Sequence, residues 1–260
     1  MRGIDNDGNT CYAAAAVQAL AAVQALNEAL AATPSECNVT RLYNDLVVQL
    51  AGDAQTAVCL GPFLASVRDA CPTFKKYAQH DSHELLVFLI DAFEKSLGRQ
   101  VVRGIFNGEE TTATTFPGGV SEVKHPTTLV EFQVTRDCRL QDLVDEYQKP
   151  EKVADYYDEG ADAFHDVAVV QRSIAWPHTV GFVFGQYSGK KYTVDLPEDF
   201  QGRHLVSVVL HSGSLNSGHY EAIRKHPDTG TWYCCNDSRV RPLRGVPHRS
   251  EEFYIAFFTS

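Results

Sequence analysis

The stretch that most constrains the fold is the N-terminal sequence GNTCYAAAAVQALAAVQALNEALAA, residues 8–32. From Ala13 to Ala32 it is rich in alanine and leucine, the residues with the highest helix propensity. Its larger apolar residues recur at intervals of three and four, which predicts one helix with a single buried stripe. This stripe consists of Val17, Leu20, Val23, Leu26 and Leu30. Because the other side chains are mostly small, neighbouring elements can pack closely around such a helix.

Helical signals continue outward from this stretch. Thr40 is a predicted N-cap, Gly61-Pro62 suits a first helical turn, and Asp81-Ser82-His83-Glu84 has the spacing of a capping box. Further along, residues 104–125 predict loops and irregular strands, and residues 140–157 predict an amphipathic helix or a pair of turns. The first half of the chain is therefore predicted to be mainly helical.

The C-terminal half is predicted to consist mainly of strands, because segments rich in Val, Ile, Tyr and Phe alternate with Gly, Pro, Asp and Asn. The predicted strands are Val167–Ile174, Thr179–Phe184, Lys191–Leu196, Leu205–His211, His219–Arg224, Trp232–Cys235 and Phe253–Phe258. Helices followed by an antiparallel sheet predict an α+β fold in a single domain, residues 1–260.

Composition excludes several classes of protein. The 260 residues are 44% hydrophobic, which suffices for one large domain. The formal net charge of −10 argues against nucleic-acid binding. No apolar signal segment follows Met1, and Gln18 and Gln24 interrupt the alanine-rich stretch, so neither secretion nor membrane association is expected. The seven cysteines include no Cys-x-x-Cys pair, so we expect no disulfide framework, no zinc site and no cofactor.

A candidate nucleophile lies where the first helix begins. Cys11 would meet unpaired backbone N–H groups and the positive end of the helix dipole there. That environment favours the thiolate, which is the nucleophilic form of cysteine. The alternative is a small buried core residue, which is what a cysteine in a helical protein usually is.

A candidate base and its partner lie near the other end of the chain. His219 begins a predicted strand after a Gly- and Ser-rich loop and could act as a general base. Asn236 and Asp237 end the strand that the turn at Asp228-Thr229-Gly230 pairs with it, so either could orient the imidazole. A structural histidine and an ordinary strand-end turn are the alternatives. The order Cys, His, Asn/Asp is that of papain-like peptidases.

Four segments together resemble the ubiquitin-specific proteases. They are the cysteine box at Gly3–Tyr12, the Gln-Asp-His-Glu segment at Gln79–Leu85, the histidine box at His211–Tyr220 with Trp232 and Asn236–Ser238, and a last strand at Tyr254–Phe258. The resemblance implies that Cys11 attacks the carbonyl after the C-terminal glycine of ubiquitin and that His219 is its base. It implies the third triad position for Asn236, with Asp237 beside it, and an oxyanion-hole amide for Asn6.

The resemblance also implies a substrate channel. Asp81 and Glu84 match positions that face the arginine-bearing tail of ubiquitin. Ser212, Gly218 and Tyr220 match the lining of the passage for its two terminal glycines. The family fold is a hand, which implies a helical thumb over about residues 1–98, fingers over about 99–137, and a mainly β palm over about 138–260.

The fingers are expected to be reduced and free of zinc, because the chain lacks the Cys-x-x-Cys pairs that family fingers often carry. The expected protein is a monomeric deubiquitinase of the cytoplasm or nucleus that binds ubiquitin and ubiquitinated proteins. Four alternatives remain at this stage. They are a protease for a ubiquitin-like modifier, another Cys-His acyl-transfer enzyme, a catalytically weak ubiquitin-binding module, and a structural α+β domain with chance motifs.

Zinc-free fingers predict that a strong zinc chelator changes neither the melting temperature nor any hydrolytic activity of the protein. Thermal unfolding with and without the chelator tests this directly, because a structural zinc site contributes folding free energy. A chelator-dependent fall in melting temperature, restored by added zinc, would refute the prediction.

Overall fold

A computed structural model describes residues 1–52, 56–75, 78–160, 162–186, 189–214 and 217–260. Helices dominate the part of the chain before Gly108, and one more helix lies among the strands that follow. The helices are α1 (Cys11–Leu20), α2 (Gln24–Ala32), α3 (Asn38–Ala51), α4 (Gly61–Ala70), α5 (Ser82–Leu97), α6 (Arg99–Phe106) and α7 (Leu140–Tyr147), with a 3₁₀ turn at Pro72–Lys75.

The alanine-rich stretch forms two helices, so the prediction of one continuous helix is wrong. α1 ends at Leu20, and α2 leaves it at an angle of 87°. The side chain of Asn27 donates to the Ala21 carbonyl at 3.0 Å, which satisfies an acceptor at the end of α1. Every residue of α1 is buried, whereas α2 buries only Leu26 and Leu30, so the two segments have different surroundings.

The other helix starts agree with the sequence to different degrees. α4 begins at Gly61 with proline in its first turn, as predicted. The side chain of Asp81 caps α5 by accepting from His83 N at 2.6 Å, but the reciprocal bonds with Glu84 that define a capping box are not found among the described residues. α3 begins at Asn38, and its Thr40 hydroxyl contacts Ser96 Oγ at 2.6 Å, so Thr40 is a buried contact and not a cap.

The strands form a large sheet and two smaller ones. In chain order they are β1 (Gly108–Phe116), β2 (Gly119–Thr127), β3 (Leu129–Gln133), β4 (Cys138–Arg139), β5 (Glu151–Asp158), β6 (Ala163–Ala175), β7 (Thr179–Gly185), β8 (Val194–Asp195), β9 (Asp199–Phe200), β10 (Arg203–Ser214), β11 (Ser217–Lys225), β12 (Trp232–Asn236), β13 (Arg239–Leu243), β14 (Arg249–Ser250) and β15 (Phe253–Thr259).

The main sheet has the strand order β13-β12-β11-β10-β15-β7-β3, and β9 pairs with β10. The outer sheet has the order β2-β1-β6-β5, and the small third sheet has the order β14-β8-β4. Pairing is antiparallel except between β3 and β7 and between β4 and β8, which run parallel. Helices with mainly antiparallel sheets confirm the predicted α+β class.

The outer sheet is where sequence-based prediction was least accurate. Residues 104–125, predicted to be irregular, lie largely in the regular hairpin β1–β2, and the helix predicted over 140–157 ends at Tyr147 and is followed by β5. The pairing partner of β5 is β6, which no local pattern in the segment indicates. Of the predicted strand Lys191–Leu196 only Val194–Asp195 is regular. The outer sheet contains residues from both sides of position 137, which is the predicted boundary between fingers and palm. That boundary therefore stays a prediction.

The main sheet separates two hydrophobic cores. One core contains the buried faces of α1 to α6, and the other lies on the opposite face with α7. Successive residues of a strand point to opposite faces, so both sets of side chains are buried. The helical core receives Val209, Ala222, Ile255 and Phe257, and the second core receives Val208, Ile223, Ala256 and Phe258. This explains the unbroken apolar sequence of β15.

No single helix of the described ranges is long and apolar enough to cross a membrane. The bent pair α1 and α2 passes that test only when its two helices are taken together.

A buried arginine in β11 is the main electrostatic cost of the helical core. Arg224 is 4% exposed, and its Nε has no hydrogen-bond partner within the described residues. Burial lowers the pKa of the guanidinium. The nearby Cys235 and Tyr43 raise this pKa, but by less than burial lowers it. A cation without a carboxylate partner in an apolar site is destabilising unless its remaining packing compensates.

Arg224→Met is therefore expected to leave the free energy of unfolding unchanged or to raise it by up to about 4 kcal/mol, since methionine keeps the apolar stem and removes the buried charge. Urea unfolding of this variant, with Arg241→Met as an exposed control on β13, measures the effect. A loss of more than about 1 kcal/mol relative to the control would contradict the prediction.

Candidate active site

Cys11 opens α1 and lies against the main sheet. The carbonyl of Thr10 accepts the backbone N–H groups of Ala13 and Ala14, both at 3.0 Å, which sets the first turn of the helix. Cys11 is 3% exposed, and the backbone N–H of Tyr220 on β11 faces its sulfur closely enough to lower the pKa of the thiol. The packing of α1 on β11 thus brings the thiol next to the residue that follows His219.

The surroundings of Cys11 favour the neutral thiol at rest. Burial raises the pKa of the thiol, and the negative charge of Asp237 raises it further. Hydrogen bonds from the backbone N–H groups of Tyr220, Tyr12 and Cys11 itself lower it, but by less. The expectation that the helix terminus favours a resting thiolate is therefore wrong, because desolvation outweighs the N–H groups. A thiolate at Cys11 would therefore form only with the help of a base.

His219 and Asn236 meet across two adjacent strands. The His219 Nε2 atom lies 2.9 Å from Asn236 Oδ1, and Asn236 Nδ2 donates to Glu221 Oε1 at 2.5 Å. An amide oxygen can only accept, so His219 Nε2 carries the proton of this hydrogen bond. The other ring nitrogen, Nδ1, then has the lone pair that a general base needs.

Asn6 and Asp237 form a second polar pair. Asn6 Nδ2 donates to Asp237 Oδ2 at 2.9 Å. Asn6 Oδ1 accepts from Gly8 N at 2.9 Å, Thr10 N at 3.3 Å and Thr10 Oγ1 at 3.1 Å. Because Nδ2 carries two hydrogens and Asp237 takes one, the exposed amide retains a donor for a substrate oxygen.

Asn236 and Asp237, either of which could orient the imidazole according to the sequence, therefore have different contacts. Asn236 bonds the imidazole of His219, whereas Asp237 bonds the amide of Asn6. Asp237 adopts a left-handed backbone conformation with φ of 49°, which turns its side chain away from the direction that Asn236 takes.

The N-terminal segment packs directly on this turn. Ile4 N donates to the Asp237 carbonyl at 2.9 Å. A Cβ atom at Gly3 would lie 2.6 Å from Asp237 O and 2.5 Å from the carbonyl carbon of Ser238, so only glycine allows this approach. This contact explains how Asn6 and Asp237, which are far apart in the sequence, lie in one site.

The predicted substrate-binding carboxylates are placed differently from one another. Asp81 is half-buried, and its two oxygens accept the Tyr254 hydroxyl at 2.7 and 2.6 Å, which holds the carboxylate in one orientation. Glu84, one turn along α5, is exposed. The sequence predicts only that Tyr254 is part of the last strand, and no local signal indicates its contact with Asp81.

Gly218, just before His219, is bridged to the segment that precedes α5. Gln79 Nε2 donates to the Gly218 carbonyl at 3.0 Å, and Gly218 N donates to Gln79 Oε1 at 3.2 Å. A Cβ at Gly218 would lie 2.5 Å from Ser212 O and would overlap the His211 ring. Ser212 Oγ in turn lies 3.5 Å from the His219 carbonyl. Residues 215–216 of the predicted channel loop lie outside the described residues.

Tyr220 is largely a core residue. It is 8% exposed, and its ring stacks on His211 with centroids 4.5 Å apart. Burial and the nearby charge of Lys191 lower the pKa of His211, so this histidine is neutral around pH 7. A side-chain contact of Tyr220 with substrate stays a prediction, and its backbone N–H acts on the pKa of Cys11.

No three His, Cys, Asp or Glu side chains within the described ranges are grouped so as to hold a metal ion. The site as described consists of protein donors and acceptors from both ends of the chain.

Comparison with known proteins places this geometry in a family. The sequence profile described as ubiquitin carboxyl-terminal hydrolase matches residues 2–128 and 120–258. Ubiquitin carboxyl-terminal hydrolase 36 of Drosophila sechellia is 27% identical over 98% of this chain, and human ubiquitin carboxyl-terminal hydrolase 2 is 38% identical over 21% of it. The chain spans 27% and 9% of the lengths of these two relatives.

Solved structures agree with the fold. The structure of the SAGA Ubp8/Sgf11/Sus1/Sgf73 DUB module bound to ubiquitin aldehyde superposes with a TM-score of 0.84 over 100% of this chain and 69% of the other, at 19% sequence identity. The same module bound to monoubiquitin, with a cysteine-to-alanine substitution in Ubp8, gives a TM-score of 0.80 over the same shares of the two chains. With the profile covering nearly all of its length, the chain belongs to the ubiquitin carboxyl-terminal hydrolase family, as its resemblance to the ubiquitin-specific proteases predicted.

Proposed function

We propose that this chain is a thiol-dependent ubiquitinyl hydrolase, which cleaves the bond after the C-terminal glycine of ubiquitin in ubiquitin–protein conjugates. The observation that carries the proposal is that α1 places a buried thiol beside Tyr220, the residue that follows a histidine whose Nε2 lies 2.9 Å from an amide oxygen. Family membership and the two ubiquitin-bound structural relatives support ubiquitin as the partner.

In the proposed reaction His219 Nδ1 takes the proton of Cys11, and the sulfur forms a bond to the glycine carbonyl carbon. The oxygen of that carbonyl becomes an oxyanion, to which Asn6 Nδ2 and the Cys11 backbone N–H donate. Loss of one such donor typically raises the barrier by about 2.7–4 kcal/mol. Asn236 holds the imidazole in the required tautomer and stabilises the imidazolium.

Collapse of this intermediate breaks the carbon–nitrogen bond, and His219 returns its proton to the departing lysine amine. The resulting thioester is attacked by water, which His219 deprotonates. Release of the ubiquitin carboxylate restores the neutral thiol of Cys11. The raised pKa of the thiol makes the base necessary in the first step of the cycle.

Substrate recognition is proposed to use both the tail and the body of ubiquitin. Asp81 and Glu84 would bind the cationic tail, and the passage for the two terminal glycines would run past Ser212, Gly218 and Tyr220. The outer sheet carries most of the large apolar side chains that the described residues expose, which suits contact with the ubiquitin body. These are Val120, Val123, Val153, Tyr157, Phe164 and Val167. A reducing compartment, the cytoplasm or nucleus, would keep the thiol of Cys11 reduced.

The first prediction of this proposal is a covalent adduct. Wild-type protein should react with a ubiquitin probe that carries a C-terminal electrophile, and mass spectrometry should locate the bond at Cys11. Cys11→Ala is the matched control, since alanine already lines the rest of α1.

Parallel probes built on ubiquitin-like modifiers distinguish the alternative substrate class. An adduct that persists in Cys11→Ala, or no adduct with folded wild-type protein, would contradict the mechanism. A faster reaction with another modifier would assign the chain to that modifier.

The second prediction concerns Asp237, whose charge raises the pKa of Cys11. Asp237→Asn should lower that pKa, because it removes a negative charge that disfavours the thiolate while keeping an acceptor oxygen for Asn6. The measurement is the rate of Cys11 alkylation by iodoacetamide against pH, followed on the Cys11 peptide. The midpoint should move to lower pH in the variant, and a midpoint that stays or rises would contradict the assignment.

A further inference from the structure

The hydrogen-bond chain of the site continues beyond Asn236 to a glutamate. Glu221 lies two residues after His219 on β11, so both side chains project from the same face of the strand. Asn236 ends the adjacent strand β12 and reaches both of them. Its Oδ1 contacts His219 Nε2 at 2.9 Å, and its Nδ2 donates to Glu221 Oε1 at 2.5 Å.

This arrangement bears on which end of the Asn236 amide faces His219. A primary amide can turn over and present either its oxygen or its NH₂ group to a neighbour. If the NH₂ group faced His219, the ring would accept at Nε2 and carry its proton on Nδ1. Nδ1 could then not act as the base, because a base needs an unprotonated nitrogen. Ionised Glu221 offers acceptors only, so it binds the NH₂ end and leaves the oxygen for His219.

The carboxylate of Glu221 is itself held from its other side. Cys234 Sγ donates to Glu221 Oε2 at 3.4 Å. Burial, and then the charge of Glu221, raise the pKa of Cys234 to about 11, so the thiol keeps its hydrogen at neutral pH. Arg241 on β13 is the charged group that opposes this effect on Cys234. Both oxygens of the half-buried carboxylate therefore have a donor.

We propose that Glu221 is a positioning residue for the reaction: by binding the NH₂ end of Asn236 it fixes the amide with its oxygen toward His219 Nε2, and so keeps Nδ1 as the base. The inference rests on the proposed function for its catalytic consequence only. Glu221 acts through Asn236 and touches neither the thiol nor the expected position of the substrate.

The test compares Glu221→Met, which keeps the length of the side chain and removes both acceptors, with Glu221→Gln, which retains one acceptor oxygen. With a fluorogenic ubiquitin C-terminal amide, kcat of Glu221→Met should fall about 10- to 100-fold at nearly unchanged KM. Glu221→Gln should restore kcat to within about threefold of wild type.

A readout independent of activity is the ¹⁵N NMR signature of the His219 ring, assigned by its loss in His219→Gln. Wild type should show a protonated Nε2 and an unprotonated Nδ1. Glu221→Met should show an increased fraction of protonated Nδ1, because the amide can then turn over. Glu94→Met is the matched control, since Glu94 is another partly buried, hydrogen-bonded glutamate, placed near the far end of α5.

Wild-type kcat in Glu221→Met, or an equal loss in Glu94→Met, would overturn the proposal, as would unchanged ring signals. If Glu221→Met does not fold, the His219 ring in wild type and in Glu221→Gln decides: a protonated Nε2 in both, with kcat of Glu221→Gln within about threefold of wild type, supports the proposal, and a protonated Nδ1 in the wild type overturns it. If wild-type protein cleaves no ubiquitin substrate, the proposed function fails, and the ring tautomer still decides whether Glu221 positions His219.

Discussion

The site depends on the complete burial of α1 between the helical core and the main sheet. Alanine at four successive positions after Tyr12 removes the side chains that would hold the sheet away. Polar neighbours meet the helix backbone at close range, as in the hydrogen bonds from Ser82 Oγ to the Tyr12 carbonyl at 2.8 Å and from Ser207 Oγ to the Ala19 carbonyl at 2.9 Å. These bonds fix α1 along its axis relative to α5 and β10, and thereby fix where Cys11 meets β11.

The same burial determines the acid–base character of the nucleophile. A thiol that is 3% exposed is desolvated, and the helix N–H groups cannot compensate fully. The thiol of Cys11 is therefore neutral at rest, and in the proposed mechanism His219 activates it. The negative charge of Asp237 also disfavours the thiolate, and the same carboxylate accepts a hydrogen bond from Asn6, the proposed oxyanion donor. One carboxylate therefore both raises the pKa of the Cys11 thiol and holds the amide of Asn6.

Much of this could be predicted from the sequence, because the relevant signals are local. The start of α5 at Asp81, the start of β11 near His219 and the end of β12 at Asn236 all follow from capping and strand patterns. The missed contacts join distant segments: Asn6 with Asp237, Gln79 with Gly218, and Asp81 with Tyr254. Periodicity within a segment carries no information on such pairings. The single helix predicted over Ala13–Ala32 failed for a related reason, since tertiary surroundings, and not propensity, end α1 at Leu20.

The position of β15 has a consequence for how the protein is made. β15 lies inside the main sheet, between β10 and β7, although it consists of residues 253–259. While a ribosome is still synthesising earlier residues, β10 and β7 have no strand between them, and the helical core lacks Ile255 and Phe257. Such non-local pairing makes folding slow. The nascent chain therefore cannot complete the main sheet, against which α1 holds Cys11 beside β11, until this late strand has emerged from the ribosome.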